Sequence, residues 1–335
     1  SSDNFQTKTY TGTGAIQSIT TTDLSPDLVW TKRRDGTSSH GWFDIVRGAT
    51  KWIGSNSQGA EGTYSDSLTS FDAEGFTLGA DTVWNGINQS GYTYVAWCWD
   101  GGSSTESNTD GSITSSVRAN PTAGFSIVSY TGTGSDATVG HGLNSVPEFI
   151  ITKNRDRTSN WDCYHVGTGE TKYLELNSTN GLGTSEWMQN TAPTSSVFSV
   201  KGGYNVNQSG EDGIAYCFAP VEGYSAFGSY VGNGSSDGVF VFTGFRVAWY
   251  LIKKVNAGGE NWRIIDATRS PINVAEKRLL PNSTAAEGAQ PDEVDFLSNG
   301  FKFRSADGAY NGSGSTYIFA AFASNPFQTN GGLAR

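Results

Sequence analysis

The five residues YTGTG occur at Tyr10–Gly14 and again at Tyr130–Gly134, and a relaxed copy, YVGNG, stands at Tyr230–Gly234. Each copy is followed by an apolar run that ends in lysine: PDLVWTK to Lys32, PEFIITK to Lys153 and VAWYLIK to Lys253. A polar loop and a tryptophan come next, at Trp42, Trp161 and Trp262. A third landmark closes each copy: SGYTYVAWCW from Ser90, SGEDGIAYCF from Ser209 and SGSTYIFAAF from Ser313. From the leading tyrosine to the glycine of that landmark, Tyr10 to Gly91, Tyr130 to Gly210 and Tyr230 to Gly314, the intervals are 81, 80 and 84 residues. Three landmarks in one order, three times over, predict a tandem of three homologous units of roughly 100 residues, each large enough to bury its own core.

The runs are short, rich in β-branched and aromatic residues, and bounded by Gly, Asn and Asp, which is the pattern of strands and turns. The fold class expected is all-β: three antiparallel β-sandwich modules, at residues 1–101, 123–220 and 221–335, with a Gly/Ser/Thr-rich linker at 102–122. In YTYVAWCW, Tyr94, Ala96 and Cys98 share one face and Val95, Trp97 and Trp99 the other. Both faces are apolar, so this strand should be central and covered on both sides. Cys98 and Cys217 occupy one repeat slot, which Ala321 fills in the third copy, so the slot is small and buried and no disulfide is expected. Cys163 lies in another strand.

Net charge is −10 and the basic residues are scattered, which argues against a nucleic-acid partner. No apolar run approaches the ~20 residues that span a bilayer, so no membrane insertion is expected. The chain begins Ser-Ser-Asp-Asn without a signal peptide, as a processed protein or a piece of a longer one would. No zinc helix, nucleophile elbow or phosphate loop is present. His40, His141 and His165 occupy three different repeat positions, and Asp35, Asp156 and Asp237 lie in loops that lack a calcium-binding pattern. No carboxylate pair stands out as a glycosidase centre. The expectation is no catalytic residue, no cofactor and no metal.

Asp44 with Arg47, and Asp266 with Arg269, recur just past the tryptophan, whereas the second copy has His165 and Gly167 there. A structural ion pair explains them better than a ligand contact. Of six Asn-x-Ser/Thr sequons, Asn88, Asn207 and Asn311 share one slot in which asparagine also serves a turn; Asn177, Asn233 and Asn282 are the others. The recurring Trp42, Trp161 and Trp262 read as core anchors. The less regular aromatics Trp84, Trp187 and Tyr204 are the candidates for surface contacts.

The phrases GFSIVSYTGTG, PEFIITKNRDRTSNWDCYH, TKYLELNST, GIAYCFAPVEGYSAFGSYVGNG, FLSNGFKFR and TYIFAAFASNPF resemble a repeat family of structural proteins in tailed bacteriophages, especially marine phages and cyanophages. The resemblance runs through nearly the whole chain. It implies jelly-roll or lectin-like β-sandwich modules in a virion protein exposed on the extracellular particle, tail-fibre-like, without enzymatic activity, and attaching to a host glycan or outer-membrane component. It implies as partners further copies of the chain and other virion proteins. A capsid-decoration or filament protein is the alternative, and a polysaccharide depolymerase the third reading. It carries over no binding or catalytic residue.

Overall fold

The computed structural model describes residues 4–84 and 86–323. Residues 1–3 and 324–335, which bound the first and third expected units, and the SNPF that ends the last phrase above, lie outside the described residues. Among the described residues the protein is all-β, with several antiparallel sheets, one short 3-10 turn at Asn205–Asn207 and no α-helix.

One strand order recurs in three sheets. The first joins Phe5–Thr11, Thr93–Trp99, Leu28–Arg33 and Gly41–Asp44 in that order. The third joins Ser225–Val231, Thr316–Ala323, Val247–Lys254 and Arg263–Asp266. The second has Phe125–Thr131, Asp212–Phe218, Phe149–Asn154 and Trp161–His165 in its middle and four further strands at its edges. Two of those edge strands, Thr105–Asn108 and Ser115–Asn120, correct the linker expected at 102–122. The segment is pinned because Ile113 and Val117 are buried and Arg118 pairs with the buried Asp27 at 2.8 Å. A polar composition did not prevent ordering once a free sheet edge lay alongside.

The repeated Tyr-x-Gly-x-Gly phrase has a physical reason. The tyrosine hydroxyls of Tyr10, Tyr130 and Tyr230 donate to the carbonyls of Ile87, Val206 and Tyr310, at 2.9, 2.9 and 2.8 Å. The next residue in each case is the shared-slot asparagine. Asn88, Asn207 and Asn311 are fully buried, and their amides donate to Ala15 and Gly79, Ser135 and Val200, and Ser235 and Ser305. Their Oδ1 atoms accept the backbone N–H of Thr13, Thr133 and Asn233. A Cβ on Gly12, Gly132 or Gly232 would lie 2.3, 2.3 or 2.4 Å from a carbonyl oxygen of the facing loop, so only glycine fits. These three sequons are consumed by backbone bonding inside the protein.

Each four-stranded core sheet is buried on both faces, as YTYVAWCW required. One face packs on a smaller sheet of the same segment. In the first segment Val29, Phe43, Ala96 and Cys98 meet Ile19, Leu68, Phe76 and Leu78. The second and third segments have equivalent separate clusters. The opposite faces of all three sheets meet in one shared aromatic core. There Trp42 lies 5.2 Å from Trp161 and 4.7 Å from Tyr216, Trp99 lies 5.7 Å from Trp249, and Phe218 lies 5.8 Å from Phe322. The facing pairs differ in bulk: Trp30 with Trp97, Ile151 with Tyr216, and Leu251 with Ala320. The two large indoles of the first segment reach Trp249 of the third, at 6.4 and 6.5 Å, beside its smallest pair.

Three polar links cross this core. Tyr216 Oη donates to Asp44 Oδ2 at 2.7 Å, and Trp97 Nε1 donates to Asp266 Oδ2 at 3.0 Å. Asp44 and Asp266 also hold the buried guanidinium groups of Arg47 and Arg269. The remaining junction cannot repeat this, because Ala320 stands where Trp97 and Tyr216 supply donors. There the acid is replaced by His165, whose Nε2–H donates to the Phe319 carbonyl at 3.0 Å while Nδ1 accepts the N–H of Gly167 at 3.0 Å. First to second, second to third and third to first, the links close a ring. Three lysines complete it. Lys32, Lys153 and Lys253 are fully buried, and each ammonium donates to a carbonyl of a neighbouring segment, on Thr284, Gln58 and Thr179. Burial pulls each of them down to about 8.

A His165→Asp substitution tests the link between second and third segments. The new carboxylate would face the Phe319 carbonyl with neither a side-chain donor nor an arginine, so the expected loss is about 3–5 kcal/mol in urea unfolding. A loss below about 1 kcal/mol, the range of ordinary surface changes, would remove this reading.

Candidate functional site

Of the aromatics singled out for surface contact, Trp84 and Tyr204 are partly exposed and belong to different segments, so they form no common site. Trp187 is 1% exposed and packs with Met188 and Phe198 between the two sheets of the second segment, which corrects its assignment as a contact residue. Its irregular place in the sequence reflects a core that each segment fills differently. Trp42, Trp161 and Trp262 are all buried in the shared core, but Trp42 is not in the slot of the other two: it pairs with Trp30, as Cys163 pairs with Ile151, and His40 stands where Trp161 does.

Trp84 is joined by two residues that the sequence did not single out, Trp52 and Tyr64. All three are half-buried. Their ring centroids are 5.2 Å apart for Trp52 and Trp84, 5.6 Å for Trp52 and Tyr64, and 5.8 Å for Tyr64 and Trp84, the last pair stacked. A two-residue ladder, Lys51 to Thr63 and Trp52 to Gly62, sets their spacing. The rings lie against glycines. A Cβ at Gly54 would come within 2.9 Å of Trp52, one at Gly41 within 2.9 Å of Trp84, and one at Gly86 within 2.3 Å of Trp84. Trp52 Nε1 donates to the His40 carbonyl at 3.1 Å, and Tyr64 N–H to Thr50 at 2.9 Å. The result is a rigid aromatic patch at the surface of the first segment, with Lys51, Glu61 and Thr63 beside it. The glycines at 41, 54, 62 and 86 are the signal in the sequence that could have located it.

The corresponding region of the second segment is acidic. Asp162 and Glu175 stand directly opposite one another on paired strands. Glu175 is held by the amides of Asn160 and Asn180, at 2.6 and 2.9 Å. Burial, with the nearby Glu175 carboxylate adding to it, pushes the Asp162 carboxyl up to about 7, against the opposing field of Lys153. An open cleft of about 380 Å³ lies next to Glu175, between the second and third segments.

The other polar candidates are structural. His40 Nε2–H donates to Leu280 O at 2.9 Å and His141 Nε2–H to Thr194 O at 3.1 Å, and burial holds both imidazoles below their ordinary pKa. Asp35 accepts the N–H of Thr93, Asp156 that of Asp212, and Asp237 pairs with Lys302 at 2.6 Å. Among the described residues no three His, Cys, Asp or Glu side chains come together as a metal site. Cys98, Cys163 and Cys217 are buried free thiols.

Asp162 has a measurable consequence. Its folded pKa lies above the unfolded value of about 4, so its protonated form stabilises the fold. That contribution is complete below about pH 4 and is lost as pH rises through 7. Asp162→Asn is therefore expected to gain on the order of 2–4 kcal/mol over the parent at pH 8 and little at pH 4. Equal differences at the two pH values in denaturant unfolding would contradict this.

Comparison with known proteins adds a family and no activity. No curated protein and no solved structure matches the chain. A family described as a domain of unknown function, DUF7483, matches residues 1–326. With nearly its whole length covered by that match, the chain belongs to the DUF7483 family.

Proposed function

We propose that this chain is a non-enzymatic structural protein of a tailed-phage virion that attaches to a glycan on the host surface. In this reading it consists of three homologous β-sandwich modules, duplicated in tandem and closed into a ring through a shared aromatic core. The recurring strand order, the recurring asparagine pins and the matched junctions support it. The attachment function rests on one observation, the Trp52–Tyr64–Trp84 patch. Three partly exposed rings, Tyr64 stacked on Trp84 with Trp52 set edge-on and tilted against them, offer ring surface to the apolar face of a sugar, and their packing against glycines lowers the entropic cost of binding. Single-site affinity would be weak, and several copies on one particle would raise it through effective concentration.

A second reading is a virion assembler that contacts further copies of itself. Phe240 and Phe242 favour it. They are 42% and 67% exposed on Phe240–Phe242, an edge strand of the outer sheet of the third segment. An edge strand with outward aromatics is a template for pairing with another chain.

A glycan array probed with multivalent chain tests the first reading. Binding is expected, with at least about a tenfold loss in Trp84→Ala and in Trp52→Ala, roughly the stacking energy of one ring. An array blank at high valency removes it. Sedimentation of the purified chain tests the second. Self-association that Phe242→Lys abolishes would establish the assembler, and a monomer at all concentrations would dismiss it.

A further inference from the structure

The three junctions are built alike except in one respect, and the exception opens a cleft. At the first–second junction Glu61 N–H donates to the Arg155 carbonyl at 2.7 Å, and its carboxylate takes the Arg155 guanidinium at 2.8 and 3.1 Å. At the third–first junction Glu287 N–H donates to the Arg34 carbonyl at 2.7 Å, and its carboxylate takes Arg34 at 2.9 and 2.9 Å. At the second–third junction the same backbone bond forms, Leu182 N–H to the Val255 carbonyl at 2.9 Å, but the side chains are leucine and valine. These are too short to fill the space that an arginine–glutamate pair occupies elsewhere. The cleft of about 380 Å³ lies there, lined by both residues and by Tyr173, Glu175 and Asn180. That volume falls within the range of small-molecule sites.

The lining is specific to this junction. Glu175 and Gly54 hold equivalent places, since the indoles of Trp262 and Trp161 donate to their carbonyls, both at 2.9 Å. A 9% exposed carboxylate introduced beside Asp162 is costly to the fold. Both its oxygens are oriented by asparagine amides, and each retains a lone pair for a donor from the cleft. The Tyr173 ring sits on Gly183, where a Cβ would come within 2.1 Å. An aromatic ring fixed on backbone beside an oriented carboxylate matches an apolar sugar face flanked by hydroxyl donors.

We propose that this cleft is a saccharide-binding site, distinct from the aromatic patch of the first segment, which takes one sugar residue with its apolar face on Tyr173 and its hydroxyls donating to Glu175. The site stands on its own geometry and goes beyond the host-attachment reading.

The test is amide-resolved NMR of the whole chain titrated with methyl glycosides of glucose, galactose, mannose and N-acetylglucosamine to tens of millimolar. Expected are saturable shifts at the Gly181, Gly183 and Gly258 amides and the Asn180 side chain for at least one sugar. Affinity should fall at least about tenfold in Tyr173→Ala and in Glu175→Gln, and stay unchanged in Trp84→Ala. If Tyr173→Ala loses its native spectrum, Glu175→Gln decides alone, because it preserves shape. No shifts at the cleft, or shifts that Glu175→Gln leaves at parental affinity, overturn the proposal. Array binding lost in Trp84→Ala with a silent cleft would leave host attachment standing and this site refuted. A responsive cleft with a blank array would do the reverse.

Discussion

The ring depends on polar bonds made inside an aromatic core. Asp44 and Asp266 carry buried carboxylates, each with an arginine on one side and a tyrosine or tryptophan donor from the neighbouring segment on the other. A carboxylate so placed is tolerable only when every partner is present, since an uncompensated buried charge costs several kcal/mol. Apolar contact alone would let three similar sheets slide over one another. The directional bonds select one register, in which the indoles of Trp30 and Trp97 meet that of Trp249 edge to face.

At the junctions the polar groups change as a set. Where Ala320 removes the donor, the acid is gone and His165 bonds a carbonyl instead. Thr168 stands where the arginine would have served that acid, and the distal glutamate–arginine pair is Leu182 and Val255. Each replacement alone would leave a buried charge or an unpaired donor, so the polar set is lost as a whole. Loss of bulk at the edge of this junction leaves an open cleft of about 380 Å³ between the segments.

The two surface features lie at matching places of the first and second segments and differ in chemistry. Trp52 in the first segment and Tyr173 in the second hold the same place in a short strand and lie over Gly62 and Gly183. The first segment surrounds its ring with more aromatics and the second with carboxylate and amide. A shared scaffold with variable outward positions is how loops and edges acquire binding roles while the core stays fixed.

Strand composition, the two-faced apolar pattern of YTYVAWCW and the threefold order of landmarks were legible in the sequence, because they are local patterns or repeats at fixed spacing; the core role of Trp42, Trp161 and Trp262 was legible too, but not that Trp42 sits in a different slot. The Asp44–Arg47 and Asp266–Arg269 pairs were legible as structural for the same reason, being three residues apart. Trp187 misled because irregular placement looked like exposure, and 102–122 misled because its composition said nothing of the open sheet edge beside it. Neither the Trp52–Tyr64–Trp84 patch nor the cleft could be read along the chain. The sequence by itself determined that this protein is built of β-strands with aromatic, doubly covered centres. Only the tertiary structure decided that those strands share one core, which side chains meet across its junctions and where a junction stays open, because such contacts join residues roughly one to two hundred positions apart, and strand periodicity carries no information about partners at that range.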